Sequence, residues 1–268
     1  MFGKYKVIYF HAHPFKTLDT CICSHKEYAN MSMENTIKDL KGMGFDMICG
    51  SVVKNTAGRT TWEDLKALND EALELRDFYK GFYYPGFHVH PLYKKESIEE
   101  IERMNKLGVK LIGELVPYMH NWTDYNCSAF HEILECADHY KMILNFHPHG
   151  EVENQPYYQE QMNEMVKKHK NLVIVAAHPG EYKNFMHHLK RMELSDNYYC
   201  DLSGGGIFRH GLLRHGIDEF GKERWLFGSD YPTCNPAMFL GGVAHDFTLT
   251  EEEKEYVFHK NAERLLGV

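Results

Sequence analysis

The chain has 268 residues and a formal net charge of −8 at pH 7, with 43% hydrophobic and 25% charged residues. This is ordinary globular usage, which excludes disordered, collagen-like and disulfide-scaffold classes. No apolar run approaches the roughly 18 residues of a membrane span, and an acidic balance without a basic block argues against a nucleic-acid partner. The opening MFGKYKVIYFHAHP has neither a long apolar core nor a small-residue cleavage site, so no signal peptide is expected. Seven scattered cysteines, in a chain long enough to bury a large core, read as reduced thiols of a cytoplasmic protein.

Eight short apolar runs recur along the chain. They are Tyr5–Phe10, Phe45–Val52, Phe82–Val89, Val109–Val116, Lys141–Phe146, Leu172–Ala177, Tyr198–Leu202 and Arg224–Phe227. Their starts lie 26 to 40 residues apart, the spacing of a strand plus a crossover helix. VKLIGELV and NLVIVAA are nearly continuous in apolar residues, as strands buried on both faces should be. Amphipathic helices are expected between the runs. Trp62–Tyr79 repeats Leu65, Leu68, Ala72 and Leu75 at three- and four-residue steps. Ser97–Leu107 follows the same period and stops at Gly108. Asn126–Tyr140, Pro156–His169 and Glu181–Met192 also fit. Thr250–Leu266 opens with Thr250 as N-cap and Glu253 three residues on, a capping box.

Alternating strands and helices imply parallel strands with right-handed crossovers. Eight units in this length predict one α/β domain over residues 1–268, a closed (β/α)8 barrel of the TIM-barrel kind. An open doubly wound sheet would show a glycine-rich phosphate loop after strand 1. The chain has His11-Ala12-His13-Pro14 there instead.

The 18 histidines are informative through their positions. In a parallel barrel, chemistry sits where strands end. His11 and His13 end strand 1, His88 and His90 strand 3, His147 and His149 strand 5, His178 strand 6 and Asp230 strand 8. Residues i and i+2 of a strand point the same way, so His11 and His13 aim together at the barrel axis. A third imidazole and a carboxylate from other strands would complete an N/O site for a divalent metal. Zinc is the first expectation, with manganese or iron as alternatives. Glu114 lies within apolar strand 4, where a carboxylate needs a cation partner, either a metal or a base such as Lys110. His90 reads as a pocket wall and His149 as a substrate contact.

These motifs are familiar. FHAHP (10–14), IGELVP (112–117), NFHPHG (145–150), AAHPGE (176–181), CDLSGG (200–205), LFGSDYP (226–232) and NAERLLG (261–267) occur in this order. The chain resembles the amidohydrolase superfamily of metal-dependent hydrolases with a distorted TIM barrel, most of all the branch that includes aminocarboxymuconate semialdehyde decarboxylase. The resemblance implies His11 and His13 as strand-1 ligands, His147 as the strand-5 ligand, and Asp230 as ligand and general base. It implies that His178 either binds a second metal or polarises the substrate. Strand 4 has no lysine to bridge two metals, but Glu114 lies near that level and glutamate bridges metals in some relatives. One ion is the default, and two are left open.

Such a site suits hydrolysis of a small amide, ester or lactone, with Asp230 taking the proton of an activated water and His178 stabilising the developing oxyanion. The same residues can run a non-oxidative decarboxylation of a small carboxylic acid, aromatic acids included. A TatD-type nuclease is the weaker alternative. Arg59 and Lys54 after strand 2, Tyr118 after strand 4, and Arg209 after strand 7 are the expected substrate-binding positions beside His90 and His149. A small-molecule substrate is expected, with no membrane partner, and the oligomeric state is left open.

Overall fold

A computed structural model describes residues 3–24, 31–56, 59–148, 156–180, 182–204 and 209–268. Its eight strands are β1 (Ile8–Tyr9), β2 (Met47–Gly50), β3 (Tyr83–Phe87), β4 (Leu111–Leu115), β5 (Ile143–Phe146), β6 (Val173–Ala176), β7 (Tyr198–Asp201) and β8 (Trp225–Leu226). They form one parallel sheet in sequence order. The Phe10 N–H donates to the Phe227 carbonyl at 2.7 Å, and Ala12 bridges Tyr231 in parallel. These contacts join β8 to β1 and close the barrel.

Each strand lies inside the apolar run that foretold it, trimmed at its ends. The helices are α1 (Met33–Gly42), α2 (Trp62–Phe78), α3 (Lys94–Lys106), α4 (Ser128–His139), α5 (Pro156–Lys168), α6 (Tyr182–Leu194), α7 (Leu212–Phe220) and α8 (Pro236–His245). Of these, α1, α7 and α8 were not singled out from the sequence. In α2, Thr61 accepts from the Asp64 N–H while Asp64 accepts from the Thr61 N–H, a reciprocal capping box. The 3-10 turn Pro91–Tyr93 leads into α3, which therefore starts at Lys94, ahead of the expected Ser97.

The last helical stretch departs from expectation. It is not one α-helix but Glu251–Glu255, a π turn at Tyr256–Lys260, then Asn261–Leu266. The Phe227 N–H donates to the Val257 carbonyl at 3.0 Å, which draws that carbonyl out of the helical ladder. The capping box of Thr250 and Glu253 is present as expected.

Two apolar layers result. Ile8, Phe10, Cys49, Leu111, Ile143, Val175, Tyr199 and Leu226 fill the barrel, and Ala262 and Leu266 pack against them from the C-terminal helix. A larger cluster lies between the sheet and the surrounding helices. All seven cysteines are free thiols. No helix among the described residues is long and apolar enough to cross a membrane.

Candidate metal centre

Six side chains from five strand ends converge at the mouth of the barrel. His11 Nε2 lies 3.2 Å from His13 Nε2. Asp230 Oδ1 lies 3.1 Å from His13 Nε2 and 3.7 Å from His11 Nε2. Glu114 Oε1 lies 3.1 Å from both His147 Nδ1 and His178 Nε2, and 3.4 Å from His11 Nε2. Its Oε2 is 3.3 Å from His13 Nε2. All six residues expected as ligands are brought together here.

The backbone around them is specialised. His178 (φ 54°) and Asp230 (φ 72°) both adopt left-handed conformations, which are costly for residues with a Cβ and concentrate at functional sites. Glu114 arrives by a different device. Leu111 faces the barrel interior, so strict alternation would turn Glu114 outward. The pairing of β4 with β5 shifts register between Ile112 and Leu115, and Gly113 has φ 94°, so Glu114 swings inward. A Cβ on Gly113 would collide with the Asn145 backbone oxygen.

Behind the cluster, three imidazoles are held by their Nδ1 atoms. Asp201 Oδ2 accepts from His11 Nδ1 at 2.7 Å. The Ser51 carbonyl accepts from His13 Nδ1 at 3.0 Å. Ser203 Oγ lies 3.0 Å from His178 Nδ1. Ser203 in turn donates its N–H (2.8 Å) and its hydroxyl to Asp201 Oδ1, tying the β7 end to both His11 and His178. In each ring Nε2 is left facing the cluster, the arrangement by which outer partners fix the tautomer of a metal-binding histidine. Gly204, with φ 67°, leaves room for the His178 ring against this loop. Sequence reasoning gave Asp201 and Ser203 no role. Their signal lay in CDLSGG, because Asp201 stands two residues beyond the inward-facing Tyr199.

The electrostatics ask for positive charge. Glu114, Asp230 and Asp201 are buried carboxylates. Lys110, considered from the sequence as a partner for Glu114, instead donates to Asn105 Oδ1 (2.6 Å) and the Tyr140 carbonyl (2.8 Å). Among the described residues no lysine or arginine pairs with Glu114 or Asp230, and their ion-pair partners are imidazoles. Burial disfavours charge on His13, but Asp230 and Glu114 outweigh it and push the ring up to about 9. His11 and His178 are raised in the same way against burial, by Glu114 with Asp201 for His11 and by Glu114 with Asp230 for His178. The imidazoles hold Glu114 well below the usual carboxylate range in spite of its burial, and they also lower Asp230. Burial keeps His147 below its ordinary value.

These residues fit a divalent cation. Donors around an ion with bonds of about 2.0–2.2 Å sit roughly 3.0–3.6 Å from one another, near the spacings measured here. Nitrogen and carboxylate donors suit zinc, manganese or iron.

The expected substrate-binding residues divide. Tyr118 follows β4 on a 3-10 turn, its ring centroid 5.4 Å from that of His147. Burial, with Glu114 and Asp230 nearby, pushes its hydroxyl up to about 12. His90 is corrected. It is 1% exposed, its Nε2 donates to the His120 carbonyl (2.9 Å), and its Nδ1 accepts from the Leu92 N–H (3.1 Å). Both ring nitrogens fasten loops, so none is offered to a substrate. Arg59 and Lys54 line a cavity of about 420 Å³ with Asp64 and Glu71, and Arg209 lines another of about 340 Å³ with Met238 and Phe239. No residue of the cluster lines either cavity among the described residues. His149 lies outside the described residues.

A family model described as amidohydrolase matches residues 8–268. The chain belongs to the amidohydrolase family. Enzymes of this family use divalent metal. No curated protein matches the chain. Solved structures do, and they share the barrel. The 5-carboxyvanillate decarboxylase of Sphingomonas paucimobilis is 16% identical, with TM-score 0.74, over 99% of this chain and 100% of that one. A 5-carboxyvanillate decarboxylase of Novosphingobium aromaticivorans, complexed with manganese, is 15% identical, with TM-score 0.71, over 99% and 97%. A probable 2-pyrone-4,6-dicarboxylic acid hydrolase of Acinetobacter baumannii is 15% identical, with TM-score 0.69, over 98% and 100%.

Proposed function

We propose that this amidohydrolase removes carbon dioxide, without oxidation, from a small aromatic carboxylic acid. The observation that carries the reading is the convergence of His11, His13 and Asp230, with Glu114, His147 and His178 beside them, on one point at the barrel mouth. His11, His13 and Asp230 would hold a divalent cation; manganese is favoured over zinc here because a structural neighbour of similar fold carries it. Bound there, the cation supplies Lewis acidity and a fixed positive charge for a substrate carboxylate.

The chain's own residues do the rest. Asp230 Oδ1 faces His11 and His13, and although these imidazoles favour its ionised form, Oδ2 can relay a proton. Asp230 takes that proton from solvent and hands it to the substrate carbon that bears the carboxylate. The carbon–carbon bond then breaks, its electron pair returns to the ring, and carbon dioxide leaves. His178 Nε2, held in place through Ser203, stabilises negative charge on the substrate as this occurs. Tyr118 at the rim offers an aromatic face to a flat substrate.

Hydrolysis of a lactone, amide or ester is the second reading, favoured by the hydrolase among the structural neighbours. It uses the same Asp230 to take a proton from the attacking water. A screen separates the two. Purified protein with Mn²⁺ is offered hydroxylated benzoic acids, lactones and amides. Carbon dioxide release from an aromatic acid is the expected result. Ring opening or amide cleavage without carbon dioxide would replace this reading with the hydrolytic one. The substrate is a small molecule and the setting cytoplasmic in this proposal.

A further inference from the structure

We propose that Tyr9 is a positioning residue of the centre: its buried hydroxyl fixes the turn after β8 that presents Asp230 to a cation. This deepens the proposed function and rests on its reading of Asp230 as a ligand beside His11 and His13.

Tyr9 ends β1, and its neighbours Ile8 and Phe10 face the barrel interior. Its own side chain therefore points outward, into the apolar layer under the helices. There the ring is fully buried and packs against Phe45 and Phe227, with centroids 5.0 and 5.7 Å away. A phenylalanine would fill the same space. A phenol is costly at such a position unless its oxygen is bonded. Here it is bonded twice, to Ser229 Oγ and to the Tyr231 N–H, which donates to it at 3.1 Å. These two residues flank Asp230.

Asp230 needs such a clamp. Its φ of 72° is a left-handed conformation that a residue with a Cβ holds only when its surroundings impose it. Strand 1 supplies those surroundings. The His11 carbonyl accepts from the Asp230 N–H at 3.1 Å, and the Tyr231 carbonyl accepts from the His13 N–H at 2.7 Å. Both are backbone bonds that do not depend on the side chains at 11 and 13, whereas the Tyr9 bonds need its hydroxyl. With its flanks tied to the strand that carries both imidazoles, Asp230 keeps Oδ1 3.1 Å from His13 Nε2 and 3.7 Å from His11 Nε2. Without the hydroxyl the turn is free to relax toward ordinary φ values, which swings the carboxylate away from the two rings.

Mn²⁺ alone is the probe, and no substrate is needed. Its affinity is read from the electron paramagnetic resonance signal of the free ion during titration of wild type, Tyr9→Phe, Asp230→Ala and the double variant. Thermal unfolding of each metal-free protein is measured alongside. Tyr9→Phe should bind Mn²⁺ about tenfold more weakly than wild type, the lower end of what loss of an outer partner costs. The double variant should bind within about twofold of Asp230→Ala, because the hydroxyl then has no ligand left to place. A generally loosened fold would weaken both backgrounds alike. A further loss of about tenfold in the double variant therefore overturns the proposal, as does wild-type affinity in Tyr9→Phe. If Asp230→Ala binds no measurable Mn²⁺, or Tyr9→Phe does not fold, Ser229→Ala decides, since it removes the other half of the same bond. It should weaken binding and alter the low-temperature spectrum of the bound ion, and a wild-type value of either overturns the proposal. Absence of Mn²⁺ binding in the wild type overturns this proposal together with the reading of the centre. A failed screen for carbon dioxide release leaves it untouched.

Discussion

Asp201→Asn tests whether the network behind His11 sets its metal affinity. Asp201 Oδ1 accepts from the Ser203 N–H at 2.8 Å and from the Ser203 hydroxyl, so an asparagine keeps its oxygen on that side. Its amide NH₂ then occupies the place of Oδ2, 2.7 Å from His11 Nδ1. A donor now faces a nitrogen that was donating. The ring can relieve the clash by moving its proton to Nε2, which is the atom that faces Glu114, His13 and Asp230. A protonated Nε2 cannot bind a cation. Loss of such outer partners costs about 10- to 100-fold in metal affinity, or about 1.4–2.7 kcal/mol. The fold should survive, because the strand and the Ser203 bonds remain. The assay is Mn²⁺ binding by competition with a chelator, beside thermal unfolding of the metal-free protein. Unfolding should match the wild type while Mn²⁺ affinity falls at least tenfold. Affinity within twofold of the wild type would refute the tautomer argument.

Other outcomes follow from the same geometry. Asp230→Asn should lower turnover of any acid found in the screen by about 100-fold or more while circular dichroism stays unchanged; wild-type turnover would remove Asp230 from the proton path. Saturating Mn²⁺ should raise the melting temperature of the wild type, because the ion binds the folded chain, by an amount worth about 2.7 kcal/mol at 100 times Kd. His13→Ala should lose most of that rise, and an equal rise in both proteins would place the ion elsewhere. Gly204→Ala puts a Cβ against His178 Nδ1 at a backbone φ of 67°, so it should destabilise the protein by about 1–3 kcal/mol, read as a lower urea midpoint. His169, whose Nε2 lies 2.8 Å from His131 Nδ1, is pushed down to about 4, chiefly by burial. A histidine lowered when folded stabilises fully above the unfolded value near 6.5, and the contribution is lost as pH falls from there toward 4. After solvent screening this amounts to about 1–2 kcal/mol, and His169→Gln should flatten the slope of stability between pH 6.5 and 4. An unchanged slope would show that the ring is not the group responsible.

The order of strands and the positions of His11, His13, His147, His178 and Asp230 at their ends were legible in the chain. Apolar runs of fixed spacing must pair, and a polar residue just past a buried strand must sit at the barrel mouth. The capping boxes at Thr61 and Thr250 were likewise local, since three or four neighbouring residues satisfy their own hydrogen bonds. Three matters were decided only in three dimensions. Glu114 faces inward through a register shift against β5 that alternation would not allow. His90 repeats the His-x-His pattern of strand 1, yet its ring is taken up by the His120 carbonyl, 30 residues along the chain. Asp201 meets His11 across 190 residues of sequence, between strands brought together only by closure of the barrel. Local pattern fixes what a residue is and which strand end holds it, whereas the partner of a buried polar atom is chosen by packing between distant segments.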